Sequence, residues 1–503
     1  MAGAASLILA LTAGLLGVTR PPVTYVLDYG KNHVDQPGYA ELVAGSPPQV
    51  LHFGKDVPMS HNWGPIATMG GENVAYGKGD DIRRISPAEL ATRVSRLKEL
   101  NDGLHRAGVS LILPYICLMT MAGDETRRTG FWEFYDHWED YAAFDLGPRP
   151  SEPAGWMQRT AQGGLKRFYT YGSGYYPGYE TNHRYAVSIL HPGWRQWQRA
   201  VVRQAARAGF DGVFVDNGGS FQSYDPLAQE GFRQWLAARF EPARLQELFG
   251  LASAGEASLP ASLDGPLGAE ALKFWQTSIR DFLAELRREG SEVLGRRFVI
   301  FPNGAHNPVT LRYAHPDTDY TMYELSHGSL GTTNTGRLTD TVVEDVSFRH
   351  YLSHRYAYAY PVAMGAGTRA LVLTRPGYPR RRPEYEMNAA AARLGMAEAA
   401  AFGGGGGYLL RPDWTLYGQA MAGMRRFFES QARLFEGYQP DGRVGVLAFV
   451  DEALFGNAAH LAAAEAVYTA TTGAALPTVL LPEELCTSQG LAGLAAVVLP
   501  AVR

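Results

Sequence analysis

The feature that most constrains the fold is a repeated alternation of short apolar runs with longer segments of helical periodicity. Eight of the runs have the length, the apolar content and the flanking turn residues of buried strands. These predicted strands are Val23–Tyr29, Gln49–Phe53, Ser110–Ile116, Gly212–Asn217, Phe298–Pro302, Tyr320–Glu324, Arg369–Thr374 and Gly407–Leu410. Strands that alternate with helices favour a parallel sheet. Eight of them, spread over about 410 residues, predict an α/β fold of the (β/α)8 TIM-barrel class with long insertions.

The helical segments between the strands carry the expected end signals. Pro87–Arg106 has apolar residues at helical spacing, Ser86 available as N-cap and Pro87 at the first helical position. The other predicted helices are Trp194–Ala208, Pro226–Leu248, Leu272–Leu294 and Glu384–Ala401.

The chain of 503 residues is longer than one typical domain. We assign residues 21–437 to the barrel and residues 438–503 to a small α/β domain that we expect to be truncated, because the chain stops soon after its last strand pattern. Within it we predict strands at Arg443–Phe449, Thr478–Leu481 and Ala495–Pro500, and a helix at Ala458–Thr472.

Residues 1–20 are apolar and rich in small residues, like the hydrophobic region of a secretory signal, although no Lys or Arg precedes it. We therefore favour a secreted or periplasmic location over a cytoplasmic one. The stretch is too short and too rich in glycine for a convincing membrane span, so we expect no membrane association of the mature protein.

Composition and motifs exclude several classes of function. A net charge of −4 argues against nucleic acid or an anionic membrane as the main partner. The two cysteines, Cys117 and Cys486, form neither a disulfide framework nor a metal-ligand spacing, and no nucleophile elbow is present. We expect no metal and no cofactor. The glycine run at 403–407 precedes a strand and lacks the Lys-Ser/Thr ending of a phosphate loop, so a tight helix-to-strand turn is favoured. The arginine run at 380–382 is interpreted as a solvated loop.

Acidic residues at strand ends are the candidates for catalysis, since active sites of such barrels lie at the carboxyl ends of the strands. Asp216 ends the fourth predicted strand and Glu324 ends the sixth, while Asp28 lies near the end of the first. A rise near 3.3 Å per residue separates Asp211 from Asp216 by roughly 16 Å, which assigns Asp211 to the opposite end of the barrel. We predict that Asp216 and Glu324 are catalytic and that Asp28 binds substrate.

The remaining binding candidates are polar or aromatic residues near strand ends. They are His61, Asn62, Trp63, Tyr115, Asn217, Asn303 and Tyr323. The large insertion after the third strand, at 123–184, adds Trp132, Trp138, Trp156, Tyr169, Tyr171, Tyr175 and Tyr176. Such rings suit the stacking of sugars, but packing of the insertion against itself explains them equally well.

Five segments carry a resemblance to a known family. Ile189–Trp194, Ala208–Asn217 and Phe232–Phe240 are similar to uncharacterised barrel-type glycoside hydrolases related to the family 42 β-galactosidases. The stretch Ala397–Leu410 resembles their last helix and strand. Residues 443–500 resemble the glutamine-amidotransferase-like, trimerisation-type domain that follows their barrels, which leaves room for a homo-oligomer.

One departure from that family bears on the chemistry. Its members have an Asn-Glu pair at the end of strand four, where this chain has Asp216-Asn217. An Asp at this place resembles the α-galactosidase and α-fucosidase barrels, in which it is the nucleophile. The resemblance therefore implies a retaining glycoside hydrolase acting on an oligo- or polysaccharide, with Asp216 as nucleophile and Glu324 as acid/base. A transglycosylase would use the same residues, and a non-catalytic carbohydrate-binding or assembly protein would explain the missing glutamate.

Overall fold

The structure is a computed structural model. It describes residues 22–28, 38–53, 64–65, 84–170, 183–219, 221–304, 307–325, 355–364, 368–374, 389–402, 404–409, 414–435 and 442–501. These residues belong to two compact units. One unit comprises the described residues of 28–303, and the other comprises those of 1–27 and 304–503.

The strands of the described residues are numbered β1 to β15 in chain order. They are β1 (Val23–Asp28), β2 (Val50–Phe53), β3 (Leu111–Cys117), β4 (Thr120–Asp124), β5 (Thr129–Gly130), β6 (Arg167–Thr170), β7 (His183–Ala186), β8 (Gly212–Asp216), β9 (Val299–Pro302), β10 (Tyr320–Leu325), β11 (Arg369–Thr374), β12 (Gly405–Leu409), β13 (Val444–Leu447), β14 (Thr478–Leu481) and β15 (Ala496–Val498).

The α-helices are numbered in the same way. They are α1 (Tyr39–Ala44), α2 (Pro87–Arg106), α3 (Phe131–Asp136), α4 (Pro192–Arg207), α5 (Pro226–Arg239), α6 (Pro242–Phe249), α7 (Gly265–Leu294), α8 (Pro308–Tyr313), α9 (Arg355–Met364), α10 (Ala389–Phe402), α11 (Trp414–Ser430), α12 (Val450–Leu454) and α13 (Ala458–Gly473). None of the helices in these ranges is both long and apolar enough to cross a membrane.

The predicted fold class is confirmed. All eight predicted strands are present, in the order β10-β11-β12-β1 in one unit and β2-β3-β8-β9 in the other. The pairings among these barrel strands within each unit are parallel, as the alternation with helices requires. The chain is therefore an α/β protein of the (β/α)8 class. Helix α2 begins where it was predicted, with the amide of Glu89 donating to Ser86 Oγ at 3.2 Å.

The insertion between β3 and α4 folds as a small antiparallel sheet in the order β5-β4-β7-β6. Trp132, Trp138 and Trp156 are fully buried. The ring of Trp138 lies 6.2 Å from that of Trp197 on α4, and the ring of Trp156 lies 6.5 Å from that of Trp194. Packing is thus the role of the three tryptophans, and the interpretation of them as sugar-stacking residues is wrong.

The sugar-stacking interpretation of the four tyrosines of the insertion stays a prediction. The side chain of Tyr169 and the whole of Tyr171, Tyr175 and Tyr176 lie outside the described residues.

In the second unit, β10, β11, β12 and β1 are neighbours in that order. Tyr25 Oη donates to Met322 Sδ at 3.9 Å, although β1 and β10 are not adjacent strands, so both side chains point to the same face. The glycine run is required by close packing. A Cβ at residue 404 would lie 1.9 Å from the ring of Tyr358, and one at residue 406 would lie 2.6 Å from Met396 Sδ. These contacts support the structural interpretation of the run. The arginine run lies outside the described residues.

Residues 442–501 contain a three-stranded parallel sheet in the order β14-β13-β15, with α12 and α13. Val446, Ala464 and Tyr468 share a hydrophobic core with Tyr358 and Ala370 of the barrel portion of the same unit. The predicted strands and helix of this segment are present within two residues of their predicted ends. The domain boundary at residue 438 stays a prediction.

Candidate functional site

The candidate site begins at the carboxyl end of β8. The first four residues of this strand are buried, and Asp216 is the first residue to emerge, with 22% of its side chain exposed. Asn217 then turns the chain with φ = 59°, a left-handed conformation that asparagine tolerates better than most residues. An apolar strand and a polar turn together hold the Asp216 carboxylate at the carboxyl edge of the sheet.

Three side chains donate hydrogen bonds to this carboxylate. The hydroxyl of Tyr115 donates to Asp216 Oδ2, and Asn217 Nδ2 donates to the same oxygen at 2.8 Å. Asn303 Nδ2 donates to the other oxygen, Oδ1, at 3.4 Å. A carboxylate oxygen accepts hydrogen bonds from such donors, so these three contacts fix the orientation of the Asp216 side chain.

Strand register explains why these residues meet. Cys117 of β3 is the partner of Asp216 across the parallel pair, which puts Tyr115, two residues earlier, on the same face of the sheet. On the other side, the amide of Asn303 donates to the carbonyl of Val215 at 2.9 Å and continues the β8–β9 pairing. Three of the predicted site residues, Tyr115, Asn217 and Asn303, are thereby brought to the predicted nucleophile.

Arg184 joins the site from the insertion, and the sequence analysis did not identify it. Its Nη2 lies 3.8 Å from Asp216 Oδ2, and donates to Thr120 Oγ1 at 3.2 Å and to Cys117 Sγ at 3.5 Å. The guanidinium is largely buried, with 16% of the side chain exposed. No local sequence signal marks this arginine; in the structure it directly precedes the buried residues Tyr185 and Ala186, and a largely buried cation needs partners.

An aromatic layer lies beneath the carboxylate. Phe214, two residues before Asp216, has its ring centroid 4.0 Å from that of His52, 5.2 Å from that of Phe301 and 5.9 Å from that of Tyr115. Burial holds the pKa of His52 well below its usual range, so this histidine is neutral at physiological pH. The layer gives the polar groups above it a rigid, apolar floor.

The remaining predicted site residues are not tested by the described part of the structure. Glu324 and Tyr323 lie at the carboxyl end of β10, and Asp28 is the last residue of β1, but their side chains are outside the described part. His61, Asn62 and Trp63 lie wholly outside the described residues. The roles of these residues stay predictions.

Asp211 lies at the opposite end of β8, as strand geometry predicts. Its carboxylate is fully buried and accepts from the amide of Ile112 at 2.7 Å. It pairs with Arg296 and with His105, whose Nε2 lies 3.3 Å away. This hydrogen bond raises the pKa of His105 above its ordinary value. Asp211 is therefore a structural acid that joins four chain segments.

The chemistry available at the site is that of a fixed carboxylate among donors. Within the described ranges, no group of three or more His, Cys, Asp or Glu side chains could hold a metal ion. In parallel (β/α)8 barrels the carboxyl ends of the strands are where active sites lie, and Asp216 stands at such an end.

Solved structures share this fold. The β-galactosidase of the psychrophilic Marinomonas ef1 has a TM-score of 0.59 and 16% identity, over 95% of this chain and 72% of that one. The β-galactosidase of Bacillus circulans sp. alkalophilus has a TM-score of 0.59 and 11% identity, over 95% and 67%. The α-L-fucosidase isoenzyme 2 of Paenibacillus thiaminolyticus has a TM-score of 0.53 and 13% identity, over 96% and 60%.

At these identities the likeness establishes the fold alone: this chain has a barrel fold that glycoside hydrolases use. No protein-family model matches the sequence, and no curated protein matches it.

Proposed function

We propose that this protein is a glycoside hydrolase whose reaction centres on Asp216. The observation that carries the proposal is the carboxylate of Asp216 at the end of the fourth barrel strand, surrounded by Tyr115, Asn217, Asn303 and Arg184. Structural neighbours that are β-galactosidases and a fucosidase support a carbohydrate as substrate.

The proposed mechanism is retaining, with two carboxyl groups on either side of the scissile bond. Asp216 is the nucleophile, because the described side chains that contact its carboxylate donate hydrogen bonds to it and hold it in place. Glu324, near the carboxyl end of β10, is the acid/base. In such a pair the carboxyl groups lie about 5–5.5 Å apart, whereas a separation of about 6.5–9.5 Å would leave room for a water and give inversion.

The substrate is proposed to be an oligo- or polysaccharide. Asn303 and Asn217 offer amide groups beside Asp216, and Asp28, His61, Asn62, Trp63 and Tyr323 are the further binding candidates. Because strand four ends in an Asp, the sugar is left open between galactosides, fucosides and other glycosides.

For residues 438–503 we propose a glutamine-amidotransferase-like domain. The parallel sheet β14-β13-β15 supports this proposal.

The test is a panel of aryl glycosides and of plant and microbial polysaccharides, assayed with wild type, Asp216→Asn and Glu324→Gln. Asp281→Asn is the matched control, since Asp281 is an exposed carboxylate on α7 that pairs with Arg280. Loss of a nucleophile lowers kcat by at least about 10⁴-fold, as for nucleophile variants of other hydrolases. NMR of the first-formed anomer identifies retention.

Each other outcome has a distinct meaning. Hydrolysis by Asp216→Asn at the wild-type rate would refute the role of Asp216. Binding of a sugar without turnover by wild type would favour the non-catalytic carbohydrate-binding protein, and transfer to a second sugar in place of water would identify a transglycosylase.

A further inference from the structure

The two oxygens of the Asp216 carboxylate have different surroundings. Oδ2 is contacted by the Tyr115 hydroxyl, by Asn217 Nδ2 at 2.8 Å and by Arg184 Nη2 at 3.8 Å. Oδ1 is contacted by Asn303 Nδ2 at 3.4 Å, a long hydrogen bond. A carboxylate can rotate about its last torsion angle, so unequal contacts of this kind fix which oxygen is held and which is available.

The positively charged group near Oδ2 is the guanidinium of Arg184, which belongs to the insertion and is held in place by its own contacts. Arg184 pairs across β7 and β4 with Ala122, and its guanidinium donates to Thr120 Oγ1 and Cys117 Sγ. Thr120 is fully buried at the start of β4, three residues after β3 ends. The insertion is in turn anchored on α4 by its buried tryptophans.

We propose that the insertion serves the site through Arg184, a positioning residue that fixes Oδ2 of Asp216 and leaves Oδ1 as the oxygen that attacks the anomeric carbon. This inference rests on the proposed glycosidase function. It gives the insertion a role in orienting the nucleophile, while its three described tryptophans serve packing.

The bond changes are those of a double displacement. A lone pair of Oδ1 forms a bond to the anomeric carbon as the glycosidic C–O bond breaks, and the leaving oxygen takes the bonding pair and the proton of the acid. Oδ2 becomes the ester carbonyl oxygen and keeps its contacts with Tyr115 and Arg184. Water, deprotonated by the same acid/base residue, then attacks the anomeric carbon, and the Oδ1–carbon bonding pair returns to the carboxylate.

The kinetic test uses variants of Arg184 and of Thr120, which accepts a hydrogen bond from Arg184. Arg184→Gln is expected to lower kcat by about 10-fold to 100-fold, the effect of a misplaced reacting group, with a smaller change in KM. Arg184→Lys, which keeps the charge, is expected to recover part of the loss. Thr120→Val removes one hydrogen bond to Arg184 and is expected to lower kcat by roughly 5-fold.

The matched control is Arg167→Gln. Arg167 belongs to the same insertion sheet, but its guanidinium lies over the ring of Tyr185, 5.3 Å from the centroid. This variant is expected to keep the wild-type kcat. Equal kcat values for Arg184→Gln and Arg167→Gln, with both proteins folded, would overturn the inference. If Arg184→Gln does not fold, Thr120→Val and Arg184→Lys carry the comparison.

The structural test is a trapped glycosyl-enzyme. An activated 2-deoxy-2-fluoro glycoside of the best sugar from the panel is reacted with wild type, and the adduct is located by peptide mass and crystallography. An ester through Oδ1, with Oδ2 still against Tyr115, is the expected result, and an ester through Oδ2 overturns the inference. If Asp216→Asn keeps the wild-type rate of hydrolysis, the proposed function is refuted, and the positioning role of Arg184 falls with it. An inactive Asp216→Asn with a fully active Arg184→Gln refutes only the positioning role.

Discussion

The clearest prediction separates the two aspartates of β8. Asp211→Ala is expected to lower stability and leave the chemistry unchanged, because Asp211 lies at the end of the strand remote from Asp216. The substitution leaves the amide of Ile112 without its acceptor in a fully buried place, and it removes the partner of Arg296 and His105.

The magnitude follows from these contacts. A buried amide without an acceptor destabilises by about 1–3 kcal/mol. Each ion pair adds at most about 1 kcal/mol, since 53% of the Arg296 side chain and 30% of the His105 side chain are exposed. The sum is about 3 kcal/mol. With an unfolding entropy of roughly 2.1 cal/mol/K per residue, this lowers the Tm of a chain of 503 residues by about 3 °C if it unfolds as one unit.

The effect of Asp211 also depends on pH. The hydrogen bond to Asp211 raises the pKa of His105 in the folded protein. A raised folded-state pKa gives a stabilisation that is complete below the unfolded pKa of about 6.5 and is lost as the pH rises through the folded value. The difference in Tm between wild type and Asp211→Asn, which keeps an acceptor for Ile112, is therefore expected to be larger at acidic than at alkaline pH.

The assay is thermal unfolding followed by far-UV circular dichroism across this pH range, together with kcat on the substrate found in the panel. Asp102→Asn is the control, since Asp102 is an exposed acid that pairs with Lys98 on α2. A wild-type Tm for Asp211→Ala would refute the structural argument. A loss of kcat as large as that of Asp216→Asn, in a folded protein, would refute the assignment of Asp211 to the remote end.

Two further predictions address the insertion and the turn after β8. Trp197→Ala removes a buried ring whose centroid lies 4.8 Å from that of Phe134 and 5.4 Å from that of Phe131. The free energy of unfolding is therefore expected to fall by about 3–5 kcal/mol, with KM unchanged. A raised KM at full stability would restore the sugar-stacking role to this cluster. Asn217→Gly relieves the backbone strain of a left-handed residue but removes a hydrogen-bond donor to Asp216. We therefore expect kcat to fall while Tm holds or rises. An unchanged kcat would contradict the contribution of the Asn217 amide.

Much of the fold followed from the sequence because its signals are local. Apolar runs of strand length and helical periodicity predicted all eight barrel strands, and the capping residue and proline predicted the start of α2. The rise per residue along a strand was enough to separate Asp211 from Asp216. Tyr115 and Asn303 were found because they lie near the ends of strands adjacent to β8, where chain direction alone fixes the active-site edge.

Other features could not be predicted because they depend on contacts between distant segments. The tryptophans of the insertion suited a sugar cleft and a packed core equally well by composition, and only their burial separated the two interpretations. Arg184 has no motif around it. Its position depends on the antiparallel register of β7 on β4, which local sequence does not specify.

The sequence by itself determined the class of fold and the end of the barrel at which Asp216 stands, since periodicity and chain direction are properties of each segment alone. The tertiary structure decided which donors surround that carboxylate and on which oxygen they converge. Arg184 and Cys117 are 67 residues apart in the chain, and they meet because the insertion sheet packs over the end of β3. Such a meeting is set by packing and register, and so it is visible only in three dimensions.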